Sequence, residues 1–112
     1  MTNSNVYFCD NDGTIEANIY IHGDGMTLGE KIKKFLLEVQ KNITDNRFNC
    51  PSYLAAKFVV WMAKKSKTGS HYLDFLSIGI MQSDAGGIKY RYKVICNKLD
   101  GRAIPKIIKE KV

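Results

Sequence analysis

Two segments of the chain alternate apolar and polar residues with the two-residue period of a half-buried β-strand. Residues 14–22 direct isoleucine and alanine side chains to one face and Tyr20 and His22 to the other. Residues 88–94 alternate as strictly, with tyrosines on the apolar face. Their polar face carries three cations, Lys89, Arg91 and Lys93. We predict a strand in each segment, with the apolar face turned toward a core.

Two further segments carry apolar residues at helical spacing. Residues 27–30 match the capping-box pattern that satisfies backbone donors at the start of a helix, and the apolar stripe that follows continues to Val39. A second helix is predicted from about residue 50 to residue 64, with Tyr53 and Trp61 at the flank of its apolar stripe. Each helix is therefore expected to pack by one face.

The remaining strands are predicted from shorter apolar runs between turn residues. Residues 6–9 precede an Asn-Asp-Gly sequence that is typical of a hairpin turn. Residues 73–81 form a mostly apolar run that we expect to be a buried central strand. Residues 103–108 include Pro105, which favours an edge strand.

The order of these elements is β-β-α-α-β-β, with a last β if residues 103–108 join the sheet. Runs of strands separated from runs of helices are typical of an α+β fold rather than a doubly wound parallel fold. We predict an antiparallel sheet of four to five strands covered on one face by two helices. With 112 residues, of which 45% are hydrophobic, the chain is expected to form a single domain over residues 1–112.

The cysteine spacing and the hydropathy of the chain argue against a zinc-binding, disulfide-rich, secreted or membrane-spanning protein. Cys9, Cys50 and Cys96 show no zinc-finger or disulfide-framework spacing, so we interpret them as small buried hydrophobic residues. Apolar runs stay far below the roughly 20 residues of a membrane span, and residues 1–6 lack the features of a secretory signal. We therefore expect a cytoplasmic protein without a membrane partner.

The chain is basic, with 17 Lys and Arg against 11 Asp and Glu and a formal net charge of +6. A field of this sign attracts polyanions, nucleotides or acidic protein surfaces. An excess of lysine also serves solubility, and the sequence leaves these two interpretations open.

The polar faces of the two alternating strands supply the candidate ligand-binding residues. Together with the turn after residue 22 they offer cations, an imidazole, a carboxylate and a stacking ring: Tyr20, His22, Asp24, Lys89, Arg91 and Lys93. This combination suits an anionic ligand of the nucleotide type. The alternative is an ordinary solvated face of a sheet.

His22 and Asp24 form a pair whose chemistry suits metal binding or proton transfer, because both project to the same side of an extended chain. Two groups do not complete a metal site, so a turn-stabilising role of Asp24 is favoured over a ligand-binding role. The glycines at residues 23–29 match no phosphate-binding fingerprint, and no nucleophile motif is present. Binding is therefore favoured over catalysis, and we expect neither a cofactor nor a metal.

Several short motifs occur together along the chain. They are a His-x-Asp-Gly turn within residues 19–25, Arg-Phe at 47–48 ahead of an alanine-containing helix at 54–59, Asp84, and a Tyr-Arg-Tyr strand at 88–94. This arrangement resembles a family of small phage and prophage proteins. Gly23 stands where that family has an aromatic residue, and residues 26–27 replace its Tyr-Pro. The resemblance implies a phage accessory protein of the counter-defence type, acting in the cytoplasm of an infected or lysogenic bacterium.

Two functions follow from these expectations. The first is a non-catalytic protein that sequesters an anionic, nucleotide-type ligand in a pocket that a homo-oligomer could complete. The alternative is an anti-CRISPR-like inhibitor that blocks a bacterial defence protein by protein–protein contact. An enzyme that degrades a signal is the least favoured.

Overall fold

The computed structural model describes residues 2–23, 25–42, 47–65, 77–100 and 103–112, and these form five strands and two helices. The strands are β1 Ser4–Cys9, β2 Ile15–Ile21, β3 Ile78–Ile80, β4 Tyr90–Ile95 and β5 Lys106–Lys111. The helices are α1 Leu28–Asn42 and α2 Pro51–Lys65, with a 3-10 turn at Arg47–Asn49 between them. The predicted α+β fold and its element order, including the last strand, are confirmed.

The strands form one sheet in the order β3-β2-β1-β4-β5. Three neighbouring pairs are antiparallel, as predicted, but β1 and β4 are parallel. The parallel pair arises because the connection between β3 and β4 crosses both β2 and β1 before the chain re-enters the sheet. Such a crossover brings β4 back in the same direction as β1.

Both helices cover one face of this sheet. Phe58 of α2 packs between Phe35 of α1 and Phe8 of β1, with ring centroids 5.2 Å and 5.6 Å away. On β4, Tyr92 is fully buried in the same cluster and Tyr90 packs against it, so the predicted orientation of this strand is confirmed.

The prediction of a buried central strand within residues 73–81 is wrong. The strand there, β3, has three residues, lies at the edge of the sheet and leaves Ile80 74% exposed. The centre is taken by β1, which is buried along its whole length. An apolar run alone does not distinguish a central strand from an edge strand, because the order of strands is set by the connections between them. Residues 73–76 lie outside the described residues.

The turn between β2 and α1 closes one end of the core through a glycine. The Gly25 N–H donates to the Thr2 carbonyl at 3.0 Å, and the Gly25 carbonyl accepts a hydrogen bond from the Tyr92 hydroxyl. A Cβ at this position would lie 2.7 Å from the Ser4 Oγ, closer than side chains approach. The turn therefore requires glycine for space, and it connects α1 to β4 across the core.

Candidate functional site

The sheet face opposite the helices carries most of the predicted ligand-binding residues. Strand alternation turns Ile19 and Tyr92 into the core and their neighbours toward this open face. Five of the six predicted residues lie there: Tyr20, His22, Lys89, Arg91 and Lys93. The sixth, Asp24, lies outside the described residues, so its two proposed roles stay predictions.

Strand β1 divides these five residues into two groups. On the β2 side, the Tyr20 hydroxyl lies 3.0 Å from His22 Nδ1, and both side chains reach solvent. On the β4 side, Arg91 and Lys93 each approach a carboxylate oxygen of Glu110 on β5 at 3.4 Å. Neighbouring strands are about 5 Å apart, so two spacings, or about 10 Å, separate the backbones of β2 and β4. A ligand that contacts both groups must span β1.

The connection from β3 to β4 covers the middle of this face. Asp84 in that connection accepts hydrogen bonds from the Tyr7 hydroxyl and from the Arg91 guanidinium. The next residue, Ala85, donates its N–H to Asn5 Oδ1 at 3.1 Å. Asn5 and Tyr7 are consequently buried, although they belong to the face without helices.

The contact between Asp84 and Arg91 also changes the expectation that Arg91 is a cation available to a ligand. Burial by itself raises the pKa of Asp84, but the hydrogen bonds from Arg91 and Tyr7 outweigh burial and hold that pKa below its ordinary value. The hydrogen bonds to Asp84 and Tyr7 raise the pKa of Arg91. Burial and the bond to Asp84 raise the pKa of Tyr7. Arg91 is therefore a charged residue whose carboxylate partner comes from its own chain.

Among the cations predicted for this face, Lys89 is the most accessible. Its side chain is exposed, and within the described part of the chain no carboxylate pairs with it. No group of three His, Cys, Asp or Glu side chains suited to hold a metal ion occurs among the residues that the structure describes. The chemistry available on the open face is therefore the attraction of Lys89 for an anion on one side of β1 and the ring and imidazole of Tyr20 and His22 on the other side.

A second surface lies on the outer side of the helices and was not predicted from the sequence. A groove of about 520 Å³ runs between α1 and α2. We call it the helix groove, and its lining consists of Glu38, Val39 and Asn42 of α1 with Tyr53, Ala56, Lys57, Val60, Trp61 and Lys64 of α2.

The helix groove exists because α2 is apolar on its outer side as well as its inner side. Leu54 and Phe58 face the core, yet Tyr53 and Val60 on the outside are 49% and 57% exposed. A helix that covers a sheet normally presents polar residues to solvent. Neither helix in the described chain is long and apolar enough to cross a membrane. The sequence carries a signal for this surface, because Tyr53, Ala56 and Val60 lie on the side of α2 opposite Leu54 and Phe58.

The walls of the helix groove are held by specific contacts. Trp61 Nε1 donates to the Glu38 carboxylate at 2.8 Å, and its ring lies 5.7 Å from that of Phe35. The Lys65 ammonium lies 5.3 Å from the centroid of the Trp61 ring, and the Lys57 ammonium lies 5.8 Å from that of Tyr53. The lining thus combines small and aliphatic residues, Val39, Ala56 and Val60, which we call the groove floor, with two aromatic rings and the ammonium groups of lysines.

No protein-family model matches this chain, and comparisons with curated proteins and with solved structures found no match either.

Proposed function

We propose that the protein acts by binding another protein in the helix groove. The observation that carries this proposal is the exposure of Tyr53 and Val60 beside Trp61 on a continuous apolar surface. Contiguous apolar patches on monomers mark interaction sites more often than single exposed residues do. Tyrosine and tryptophan are also enriched among the residues that contribute most to protein–protein affinity.

Substitution of one groove residue and one matched control tests this proposal. Val60→Asp places a charge on the groove floor, whereas Ile80→Asp places the same charge on an exposed isoleucine at the edge of the sheet. The wild type and both variants are immobilised and incubated with bacterial cell extract. Quantitative mass spectrometry then identifies the proteins that each variant retains.

The expected result is a protein retained by the wild type and by Ile80→Asp but lost from Val60→Asp. An interface residue of this kind typically contributes about 2 kcal/mol or more, which corresponds to a loss of roughly 30-fold in affinity. Equal retention by all three proteins would exclude the helix groove as the interface. Circular dichroism of both variants checks that each one is folded.

A second candidate function, sequestration of an anionic nucleotide-type ligand, is favoured by the exposed Lys89 on the same face as Tyr20 and His22. On this proposal Lys89→Ala weakens nucleotide binding, and Lys111→Ala, an exposed lysine in β5, leaves it unchanged. Calorimetric titration with nucleotides at low and high salt measures the effect, because such an attraction is screened over about 8 Å at physiological ionic strength. Equal affinities of the two variants would remove Lys89 from the site.

The counter-defence role that the phage resemblance implies is a proposal for both surfaces. A protein bound in the helix groove is then a bacterial defence protein that is blocked by contact. A ligand on the open face is then a nucleotide signal that is sequestered. The identity of the protein retained by the helix groove tests the first role, and the nucleotide titration of Lys89→Ala tests the second.

A further inference from the structure

The lysines that line the helix groove indicate the chemistry of its partner. Resting on the proposed function, we infer that the helix groove receives an acidic amphipathic helix, with apolar side chains on the groove floor and carboxylates facing the lysines. Amphipathic helices commonly bind apolar grooves through residues spaced i, i+3, i+4 and i+7.

The dimensions of the helix groove fit a short helix. Its lining on α2 extends from Tyr53 to Lys64. Eleven residue steps at 1.5 Å each correspond to about 16 Å, or about three helical turns. The floor along this length consists of small and aliphatic side chains, namely Val39, Ala56 and Val60. A partner helix of three to four turns therefore has space to place two or three apolar side chains against this floor.

The charges around the helix groove favour a partner with carboxylates. Helix α2 contains three lysines, Lys57, Lys64 and Lys65, and no acidic residue. Glu38 is the acidic residue in the lining, and its carboxylate accepts the hydrogen bond from Trp61. Opposite charges across an interface fix the orientation of the partner and accelerate association. Lys57 and Lys64 lie two turns apart on one face of α2, so carboxylates two turns apart along one side of a partner's apolar stripe match them.

Two other occupants fit the same observations less well. A second copy of the chain, bound by the same surface, would place two lysine-bearing linings together, and the acidic residue in each lining, Glu38, already accepts a hydrogen bond from Trp61. Single-stranded nucleic acid binds to open aromatic faces. Here the Trp61 ring is contacted by Phe35 and by Lys65. Its ring therefore serves as a wall of the groove rather than as a stacking platform.

The first test uses synthetic peptides that differ only in charge. One 16-residue peptide carries leucines at helical spacing with flanking glutamates, and its matched peptide carries lysine at every glutamate position. Trp61 is the single tryptophan of the chain and lines the groove, so its fluorescence reports occupancy directly. We expect the acidic peptide to bind at least about tenfold more tightly, with an affinity that falls as salt rises.

Charge reversal on the protein provides the second test. The double variant Lys57→Glu and Lys64→Glu is expected to lower the affinity for the acidic peptide by about tenfold and to raise the affinity for the basic peptide. Lys106→Glu combined with Lys111→Glu, two exposed lysines of β5, is the matched control and should leave both affinities unchanged. Binding of a 16-nucleotide oligodeoxythymidylate tests single-stranded nucleic acid as the occupant. Sedimentation of the protein alone over a range of concentrations tests a second copy of the chain.

Three outcomes overturn the inference: equal affinity for both peptides, tighter binding of the oligonucleotide, or a dimer that Val60→Asp dissociates. Retention of the cellular partner by the two groove variants distinguishes a failure of this inference from a failure of the proposed function. If Val60→Asp releases that partner while the double charge reversal retains it at full affinity, the partner is not acidic but the groove still binds it. If both variants retain the partner, the proposed function fails as well.

Discussion

Replacement of Asp84 by asparagine should destabilise the protein although the residue lies in a loop. Asp84 accepts hydrogen bonds from Tyr7 and Arg91, and asparagine removes both the negative charge and one acceptor. Hydrogen bonds to charged groups contribute about 1.5–3 kcal/mol. The Arg91 and Asp84 side chains are 30% and 25% exposed, so solvent screening reduces the expected loss to about 1.5 kcal/mol. In a domain of this size such a loss lowers the Tm by roughly 6 °C.

The pH dependence of this loss identifies its cause. The pKa of Asp84 is lowered in the folded protein, so its contribution is complete above the ordinary value of about 3.9 and is lost as the pH falls through the lower folded value. Urea denaturation of wild type and Asp84→Asn should therefore differ most near neutral pH and converge below about pH 4.

Glu110→Gln is the control for this experiment. The Glu110 carboxylate lies 3.4 Å from both Arg91 and Lys93 and is more exposed than Asp84, so its replacement should change stability by less than about 0.5 kcal/mol. A variant Asp84→Asn that melts with the wild type at pH 7, or a difference that persists unchanged in acid, would refute the assignment of Asp84 as the residue that fixes the crossing connection.

Three further predictions concern the core. Gly25→Ala should destabilise the protein by about 2 kcal/mol, measured by thermal denaturation, because the added Cβ would lie 2.7 Å from the Ser4 Oγ. Tyr92→Phe should cost about 1 kcal/mol by the same measurement, since it removes the hydroxyl that donates to the Gly25 carbonyl. Burial raises the pKa of Cys96 to about 12, so at pH 8 this thiol should resist alkylation in the folded protein and react in denaturant, as peptide mass spectrometry can show.

Local patterns were sufficient to predict most elements of the fold. The Asn-Asp-Gly sequence after β1 does form a turn, in which Gly13 has φ of 88° and the Asp10 N–H donates to the Thr14 carbonyl at 2.8 Å. The alternation correctly gave the faces of Ala17, Ile19 and Ile21 in β2 and of the tyrosines in β4. It was wrong for Ile15, which is 51% exposed because the register of β2 against β1 shifts between Phe8 and Cys9. Cys9 and Cys96 are buried, in agreement with their interpretation as hydrophobic residues, whereas Cys50 is only partly buried. These features depend on neighbours within a few positions of the chain.

The path of the β3–β4 connection and the ion pairs on the open face could not be predicted, because they depend on contacts between residues far apart in the sequence. The pairing of Asp84 with Tyr7 joins positions 77 apart, and no periodicity indicates that the connection before β4 crosses the open face. Lys89, Arg91 and Lys93 were correctly placed on one face, but their carboxylate neighbours could not be assigned without the strand order. The helix groove does not belong to this group, because the apolar residues on the outer side of α2 can be identified from the sequence alone.

Mapping the footprint of the retained partner on the protein tests the central claim most directly. Amide chemical shifts of the labelled protein are recorded while the protein retained in the extract experiment is added in increasing amounts. If the helix groove is the interface, the largest changes occur from Tyr53 to Lys64 and from Glu38 to Asn42, while β4 and β5 change little. Changes concentrated around Tyr20, His22 and Lys89, with α2 unaffected, would contradict the account and place the interface on the open face of the sheet.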